Sequence, residues 1–376
     1  MVKRELESII NNHLFKGKAI IIYGARQTGK TTLVESLLKD FKKSTLFLNG
    51  DDADVRDLLS DPASTKLIPV IGNNEIVVLD EAQRIPEAGV LLKIIHDNFN
   101  KVQLIATGSS SFEIADEIKE PLTGRKFEFL LYPFSFSEMV GHHGFLNEKR
   151  LLEHRLVFGY YPDIALNIGN EVKLLKLLVS SYLYKDLLML ETVKKPVLLE
   201  KILKSLASQV SNEVSYNELA QMTGSNKETV EKYISLLEKC CVIFRLNALS
   251  GNLRNEIKKS RKIYFYDNGI LNAIMGNFTP FALRSDKGAL WENFIVSERL
   301  KYLENNRIEA STFFWRTAQQ QEIDYIEERD NRLYAYEFKC NPVKRAFLSK
   351  TFLKAYPGTE FKVVSPGNID EFLLKN

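Results

Sequence analysis

The residues with the clearest chemical potential form one uninterrupted stretch, Gly24-Ala25-Arg26-Gln27-Thr28-Gly29-Lys30-Thr31. An apolar run, Ala19–Tyr23, precedes this stretch, and a helical pattern over residues 32–38 follows it. In a glycine-rich loop between a strand and a helix, backbone N–H groups and the helix N-terminus face an anion such as a polyphosphate. Lys30 can then reach the outer phosphates, and Thr31 can hold Mg²⁺. We therefore predict a phosphate-binding site that comprises this stretch and Thr32.

Asp80 and Glu81 form a second group with chemical potential. They follow an apolar strand pattern at residues 75–79. A carboxylate at the end of such a strand can hold Mg²⁺, and its neighbour can polarise the attacking water. We assign Asp80 to the metal and Glu81 to the role of general base. Together with the loop, the two acids favour a nucleoside-triphosphate hydrolase, and the alternative is a pair of solvated turn residues.

Ser109 and Arg125 are further candidates for the same site. Ser109 follows a strand pattern at residues 102–107 and would place a hydroxyl beside the cleavable phosphate; the alternative is a helix N-cap, which serine favours. Arg125 precedes a strand pattern at residues 126–130. It could stabilise transition-state charge, either in its own chain or in a neighbouring copy. A surface or structural arginine is the alternative.

A parallel sheet is the element that would position these side chains. Short apolar runs at residues 19–23, 45–49, 75–79 and 102–107 alternate with helical patterns. Continuous apolar runs of this kind are typical of parallel strands that are buried on both faces. We predict an α/β fold for a first domain at residues 1–145.

Four motifs together resemble the prokaryotic AAA-like P-loop ATPases that carry a restriction-endonuclease-like C-terminal domain. The matching stretches are residues 24–31, 79–86, 107–111, and 122–125 followed by 131–136. The resemblance implies a RecA-type parallel sheet with helices on both faces. It also implies ATP and Mg²⁺ as cofactors of the first domain.

A middle domain at residues 146–262 is predicted to be helical and to contain a winged helix. Ser215 and Ser225 each stand three residues before a glutamate, a capping-box pattern that opens a helix. On the second helix the apolar residues Val230, Tyr233, Ile234 and Leu237 share one face. A strand pattern at residues 241–246 follows, which favours a winged helix-turn-helix.

The winged-helix region also carries positive charge that could contact DNA phosphates. The charged residues concerned are Lys227, Lys232, Arg254, Lys258, Lys259, Arg261 and Lys262, and the neutral Thr229 lies on the same helix face as the first two. Glu228, Glu231 and Glu238 interrupt this basic edge. A solvated charged face, or a module that binds protein, is therefore the alternative to DNA contact.

The last domain, at residues 263–376, contains a set of acids with a neighbouring lysine. Asp324 and Glu337 fall on successive strand patterns, and Lys339 lies two residues beyond Glu337 and so on the same face. Two carboxylates that converge on Mg²⁺ can activate water beside a lysine. The pattern resembles the D-(x)n-E-x-K core of the PD-(D/E)XK nucleases, with Glu292 as the additional helical acid, but no proline precedes Asp324. A binding module without cleavage, or a polar sheet edge, is the alternative.

The composition limits the number of domains, the mode of nucleic-acid binding and the cellular location that we predict. The 376 residues suggest two or three structural units, and a net charge of +3 excludes a chain that binds nucleic acid through its overall charge. No apolar run approaches the length of a membrane span, and no signal-peptide pattern follows Met1, so we predict a cytoplasmic protein without a membrane partner. The three cysteines form no zinc or disulfide pattern.

Three hypotheses on the biological role follow. The chain could be an ATPase that acts on DNA and cleaves it, a nucleotide-switched module that binds DNA without cleavage, or a regulatory ATPase that binds a protein partner. An arginine that acts in a neighbouring copy would require a homo-oligomer.

Overall fold

The computed structural model describes residues 1–39, 41, 43–109, 122–180, 195–249, 260–317, 319–341 and 346–374. The chain divides into two compact units. The first comprises Met1–Pro133 with Lys239–Cys241, and the second comprises Phe134–Glu238 with Val242–Asn376. The division into three domains at residues 1–145, 146–262 and 263–376 stays a prediction.

The first unit is built from strands that alternate with helices. Its strands are β1 (Ala19–Tyr23), β2 (Thr45–Asn49), β3 (Ile76–Asp80), β4 (Gln103–Gly108) and β5 (Lys126–Leu130). Its helices are α1 (Glu5–Asn11), α2 (Lys30–Lys39), α3 (Ala53–Leu59), α4 (Ser64–Ile71) and α5 (Ala88–Asn98). A short 3₁₀ turn, Ala82–Arg84, follows β3.

The five strands form one parallel sheet in the order β2-β3-β4-β1-β5. The predicted α/β fold with a parallel sheet is therefore confirmed for this region. Because β4 lies between β1 and β3, the loop after β1 and the acids at the end of β3 flank the carboxyl end of β4. This strand order brings the predicted phosphate loop and the predicted acids to the same edge of the sheet.

Apolar side chains cover both faces of this sheet. Odd-numbered residues of β1 and β3, such as Ile21 and Val77, pack in one core with α5. Even-numbered residues, such as Ile20 and Val78, pack in a second core with α1 and α2. Burial on both faces explains why these strands read as uninterrupted apolar runs in the sequence.

The second unit begins with a series of helices. They are α6 (Phe136–His143), α7 (Phe145–Arg150), α8 (Leu152–Phe158), α9 (Pro162–Leu166), α10 (Glu171–Leu177), α11 (Pro196–Ser208), α12 (Tyr216–Thr223) and α13 (Lys227–Lys239). Further helices lie among its strands: α14 (Asn268–Met275), α15 (Lys287–Asn305), α16 (Lys350–Ala355) and α17 (Asp370–Leu373). Among the described helices, none is both long enough and apolar enough to cross a membrane.

The strands of the second unit form one mixed sheet. They are β6 (Ile243–Ala248), β7 (Arg261–Phe265), β8 (Ser311–Arg316), β9 (Glu322–Arg329), β10 (Arg332–Phe338) and β11 (Glu360–Val364), in the order β11-β10-β9-β8-β6-β7. The strands that follow the predicted helix-turn-helix, β6 and β7, thus share a sheet with the strands of the predicted nuclease-like region.

Helices α12 and α13 are joined by a short turn in which Gly224 has a φ of +67°. The Ser215 hydroxyl accepts a hydrogen bond from the Glu218 N–H at 3.3 Å, as the first capping pattern predicts. The second capping prediction is wrong by one residue, because the Asn226 side chain caps α13 and accepts from the Thr229 N–H at 2.8 Å. Asparagine and serine are equally good N-cap residues, so the sequence did not distinguish them.

Candidate functional site

A tight loop at residues 24–29 connects β1 to α2. A Cβ atom on Gly24 would stand 2.2 Å from the Leu131 carbonyl oxygen, so only glycine fits where the chain leaves β1. Gln27 and Gly29 have φ values of +59° and +91°. Lys30 is the first residue of α2. The loop therefore ends at a helix N-terminus, where backbone N–H groups have no intrahelical partner.

The other predicted loop residues differ in exposure. Ala25 and Thr28 are buried, and the Thr28 hydroxyl donates to the Ala25 carbonyl at 2.8 Å. Arg26 is half-buried, whereas Gln27 and Thr32 are exposed. The buried residues Ala25 and Thr28 thus fix the conformation of the loop. The assignment of all nine residues to phosphate binding stays a prediction.

Lys30 is folded back onto the loop that precedes it. Its ammonium donates to the carbonyl oxygens of Gly24 at 3.0 Å and Ala25 at 3.1 Å. Burial lowers the pKa of Lys30 below its usual value, and the carboxylates of Glu81 and Asp80 only partly offset this effect. A buried ammonium held by neutral carbonyl groups would gain strongly from an anion that approached it.

Asp80 lies at the end of β3 and joins the loop to β4. One of its carboxylate oxygens accepts a hydrogen bond from the Thr31 hydroxyl at 2.9 Å, and the other accepts from the Thr107 hydroxyl. The structure thus brings together the two residues predicted to hold Mg²⁺. A hydroxyl and a carboxylate suit this ion, which proteins commonly bind through one or two carboxylates together with substrate phosphates.

Glu81 follows Asp80 in a left-handed conformation, with φ at +48°. Its N–H donates to the Thr107 hydroxyl at 3.2 Å, and its carboxylate accepts from the Gln83 side-chain amide at 2.6 Å. A non-glycine residue rarely adopts this backbone conformation, and such residues are often found at functional sites. The backbone turn and the amide of Gln83 together hold the carboxylate beside Asp80.

The polar residue of β4 that contacts the acids is Thr107. Its hydroxyl donates to Asp80 and accepts from the Glu81 N–H. The sequence favours Ser109 for the hydroxyl on this strand; Ser109 is buried just beyond the end of β4, and its role stays a prediction. The predicted alternative, a helix N-cap, concerns residues 110–114, which lie outside the described part of the chain.

Arg125 lies at the opposite end of the sheet from the loop. It precedes β5, and the register pairs Ala19 with Lys126 and Tyr23 with Leu130. At the usual rise per residue, roughly 15 Å of strand separates it from the loop. The Arg125 side chain is 41% exposed, and its guanidinium pairs with Asp97 at 3.0 Å. The predicted role in its own chain is therefore wrong, and a role in a neighbouring copy stays a prediction.

Arg4 is a part of the site that the sequence did not reveal. The residue is 6% exposed, and its guanidinium donates to the carbonyl oxygen of Thr28 in the loop at 2.8 Å. A second donor reaches the carbonyl oxygen of Tyr132, beyond β5, at 2.7 Å. Arg4 thus ties the loop to the segment after β5. No local pattern marks an isolated arginine for this role.

The residues predicted for a nuclease-like site converge in the second unit. Asp324 and Glu337 lie on the neighbouring antiparallel strands β9 and β10. Lys339 donates to a Glu337 carboxylate oxygen at 2.7 Å. Glu292 on α15 is close enough to act on the charge of Asp324. We call these four residues, together with Lys262 and Glu322, the β9 cluster. Their role in cleavage stays a prediction.

Asp324 has the most strongly perturbed environment in the β9 cluster. Burial, together with the nearby carboxylates of Glu292 and Glu337, raises the pKa of Asp324 to about 8, while the Lys262 ammonium opposes this shift. One Asp324 oxygen accepts a hydrogen bond from the Phe338 N–H at 2.8 Å. The carboxyl group of the metal-free protein therefore keeps its proton over much of the neutral range.

Lys262 is in a different place from the one predicted. The sequence places it on a basic, DNA-facing edge, but it is 1% exposed. Its ammonium donates to Glu292 at 2.9 Å and lies 2.5 Å from Glu322. Burial alone would lower the pKa of Lys262, but these carboxylates and Asp324 raise it above its usual value. Tyr264 donates to the same Glu292 oxygen at 2.7 Å.

Only some residues of the rest of the predicted basic edge are exposed and could contact DNA. Lys227 and Lys232 are exposed on α13. The Arg261 guanidinium lies 4.2 Å from the ring centre of Tyr216, a cation–π arrangement. Arg254, Lys258 and Lys259 lie outside the described residues. Contact with DNA therefore stays a prediction that depends mainly on α13.

Three family descriptions match separate parts of the chain. They are an AAA domain over residues 16–140, a domain of unknown function (DUF8612) over residues 149–280, and a domain of unknown function (DUF4143) over residues 287–372. The first match contains the whole site formed by Lys30, Thr31, Asp80 and Glu81.

Similar proteins occur in bacteria and archaea. An uncharacterized protein of Mycobacterium tuberculosis is 25% identical over 341 residues, which cover 90% of this chain and 74% of the relative. An uncharacterized protein of Methanocaldococcus jannaschii is 24% identical over 367 residues, which cover 91% and 79%. One from Haemophilus influenzae is 22% identical over 343 residues, which cover 84% and 80%.

Among solved structures, the chain is similar to a Signal Transduction ATPase with Numerous Domains (STAND) protein with a tetratricopeptide repeat sensor from Pyrococcus horikoshii. The identity is 11% and the TM-score is 0.28, over 81% of this chain and 47% of the other. The chain spans about half the length of that structure, and a likeness at this level carries no further conclusion.

The three family matches show that the chain carries a P-loop ATPase-like AAA domain at residues 16–140, which two domains of unknown function follow.

Proposed function

We propose that the chain is an ATPase that depends on Mg²⁺. The observation that carries the proposal is the hydrogen bond between Thr31 and Asp80, at 2.9 Å, beside the buried ammonium of Lys30. Lys30 and Thr31 begin the helix that follows β1, and Asp80 ends β3; these two strands flank β4. A hydroxyl, a carboxylate and an ammonium at one helix N-terminus are the set that binds a nucleoside triphosphate with its metal.

Lys30 would bind and orient the substrate. In the structure its ammonium donates to the loop carbonyls. On binding ATP it would turn from these neutral acceptors to the outer phosphates, which form stronger, charge-assisted hydrogen bonds. Thr31 and Asp80 would hold Mg²⁺, which, when bound, supplies positive charge for the phosphate oxygens.

Glu81 would act on the water that attacks the phosphate. The amide of Gln83 and the backbone turn at Glu81 fix the position of its carboxylate, and Thr107 links the acids to β4. A positioned carboxylate can accept the proton of the attacking water. Ser109 remains a candidate for contact with the cleaved phosphate, and Arg125 could act only on the site of a neighbouring copy.

The experiment that tests this proposal is phosphate release from ATP by wild type and Lys30→Ala. We expect turnover to fall by about 100-fold or more, since a preorganised charge next to the transferred phosphate is lost. Lys39→Ala is the matched control, because it removes an exposed lysine from the same helix. A folded Lys30→Ala protein that turns over ATP at the wild-type rate would refute the proposal.

We further propose that the second unit contacts DNA through α13. Support comes from the exposure of Lys227 and Lys232 on this helix, which follows a second helix after a short turn, as in a winged helix. Binding of labelled duplex DNA should weaken steeply as salt rises, and more so in wild type than in Lys227→Ala with Lys232→Ala. No binding at low salt would instead favour a protein partner or a second copy of the chain.

A further inference from the structure

We propose that Lys262 provides, within the β9 cluster, the positive charge that a divalent cation provides in a metal-dependent nuclease. The surrounding carboxylates then hold a lysine ammonium and not a metal ion. This inference concerns the second unit alone and does not rest on the proposed ATPase activity.

The contacts of Lys262 are those of a built-in counterion. The side chain is 1% exposed, and its ammonium donates to Glu292 at 2.9 Å and lies 2.5 Å from Glu322. Glu292 comes from α15 and Glu322 from β9, so one lysine on β7 ties three elements together. Carboxylate partners of this kind strongly stabilise the charged form of a buried lysine.

The remaining members of the β9 cluster already have partners within the protein. The Glu292 oxygen that binds Lys262 also accepts from the Tyr264 hydroxyl at 2.7 Å. An Asp324 oxygen accepts from the Phe338 N–H at 2.8 Å. Glu337 accepts from Lys339 at 2.7 Å. A metal would therefore compete with donors that the protein already supplies to one oxygen of each of these carboxylates.

The donor set does not fit a metal. In the described part of the chain, no three or more His, Cys, Asp or Glu residues are grouped so as to hold a metal ion. Within the β9 cluster, two lysines offset the carboxylates, and Arg316 lies 3.5 Å from the second oxygen of Glu322. Little negative charge is left to attract a divalent cation. We conclude that the described carboxylates of the β9 cluster do not hold the metal that cleavage of the predicted kind requires.

Removal of the internal cation should convert the β9 cluster into a metal site. We expect nucleotide-free Lys262→Met to melt at a lower temperature than wild type, and Mn²⁺ to raise that melting temperature by several degrees. Adding Asp324→Asn should abolish the rise. Lys173→Met, which removes an exposed lysine from α10, is the matched control and should respond to Mn²⁺ as wild type does.

Two outcomes would overturn the proposal. One is a folded Lys262→Met protein that Mn²⁺ does not stabilise. The other concerns the wild-type protein. The proposal is overturned if Mn²⁺ raises the melting temperature of wild type, or supports DNA cleavage by wild type, and Asp324→Asn abolishes that effect. The comparison of wild type with Asp324→Asn tests the proposal even if Lys262→Met fails to fold. If Mn²⁺ neither raises the melting temperature of wild type nor supports DNA cleavage by it, the proposal is supported.

Discussion

Two buried lysines, one in each unit, lie beside carboxylates and yet have opposite surroundings. Lys30 is 5% exposed and Lys262 is 1% exposed. Lys30 donates to two neutral carbonyl oxygens of its own loop. Lys262 contacts the carboxylates of Glu292 and Glu322. The same residue type is thus electrostatically unsatisfied in the first unit and fully paired in the second.

The direction of each pKa shift expresses this difference. Burial lowers the pKa of Lys30, and the nearby acids do not restore it. Burial acts in the same direction on Lys262, but its ion-pair partners outweigh it and raise the pKa. A buried lysine is therefore available to an anionic ligand only where the protein itself supplies no carboxylate contact. This contrast favours anion binding at Lys30 over anion binding at Lys262.

The largest expected effect concerns the first site. Glu81→Gln keeps the shape of the side chain but removes its ability to accept a proton. We expect ATP turnover to fall by about 10²- to 10⁴-fold, the range typical of a lost general base, with ATP affinity little changed. Steady-state phosphate release and binding of a fluorescent ATP analogue measure the two quantities. A variant with wild-type turnover would remove Glu81 from the mechanism.

The second prediction compares the two lysines by stability. Lys262→Met should lower the free energy of unfolding by about 3–5 kcal/mol, because two carboxylates lose their counterion. Lys30→Met should change it by about 1 kcal/mol or less, because the lost hydrogen bonds are offset by relief of a buried charge.

Urea unfolding can separate these two effects by unit. Both tryptophans, Trp291 and Trp315, belong to the second unit and are buried, so tryptophan fluorescence follows that unit alone. Circular dichroism follows the whole chain. Equal losses of stability in the two variants would contradict the contrast between the lysines.

The third prediction concerns pH and the β9 cluster. The pKa of Asp324 is raised from its ordinary value of 3.8 to about 8 in the folded chain. Between these values the folded state binds more protons than the unfolded state, so this residue makes stability fall as pH rises. Burial raises the pKa of Asp324 most, the carboxylates of Glu292 and Glu337 raise it further, and the Lys262 ammonium opposes them.

Asp324→Asn removes this titration. The variant should gain stability relative to wild type as pH rises from about 5 to about 9. Tryptophan fluorescence in urea at both pH values measures the gain. If the free energies of unfolding of variant and wild type differ by the same amount at both pH values, Asp324 ionises in its ordinary pH range.

The smallest expected effect concerns Arg4. Arg4→Ala leaves the buried carbonyls of Thr28 and Tyr132 without these donors, at a cost of about 1–3 kcal/mol. A less rigid loop should raise KM for ATP by about 10-fold and change kcat less, and Arg4→Lys should restore part of the loss. Lys3→Ala, at an exposed neighbouring position, is the control. An unchanged KM in Arg4→Ala would limit Arg4 to a role in folding.

The parts of the first site that sequence predicts well are those that local pattern determines. Lys30 and Thr31 follow a strand and begin a helix, and Asp80 closes an apolar strand. In a parallel sheet the carboxyl ends of the strands meet at one edge, so these residues must come close together. Pattern and topology are sufficient here because each residue is positioned by its own element.

Other residues depend on registers and contacts that a sequence does not specify. The register of β5 against β1 puts Arg125 at the wrong end of the sheet for a role in its own chain. Thr107 and Ser109 are both polar residues at the end of the same strand pattern, and only side-chain geometry selects Thr107 as the partner of Asp80. Arg4 belongs to no motif, and its two acceptors are backbone atoms.

Lys262 is the clearest example of a residue whose position the sequence does not specify. In sequence it stands among other basic residues of a predicted wing, which favours an exposed, DNA-facing position. In the structure the adjacent strands form part of the larger sheet, and the side chain is buried against Glu292 and Glu322, which are distant in the chain. Burial of a lysine depends on partners from other elements, and local charge patterns carry no information about them.

The most direct test of the contrast between the two sites counts bound Mn²⁺ by electron paramagnetic resonance, with and without a non-hydrolysable ATP analogue. We expect Mn²⁺ to bind only together with the analogue, to be lost in Asp80→Asn, and to be retained in Asp324→Asn. Mn²⁺ that binds without the analogue and is lost in Asp324→Asn would contradict the account, as would analogue-dependent Mn²⁺ that survives Asp80→Asn.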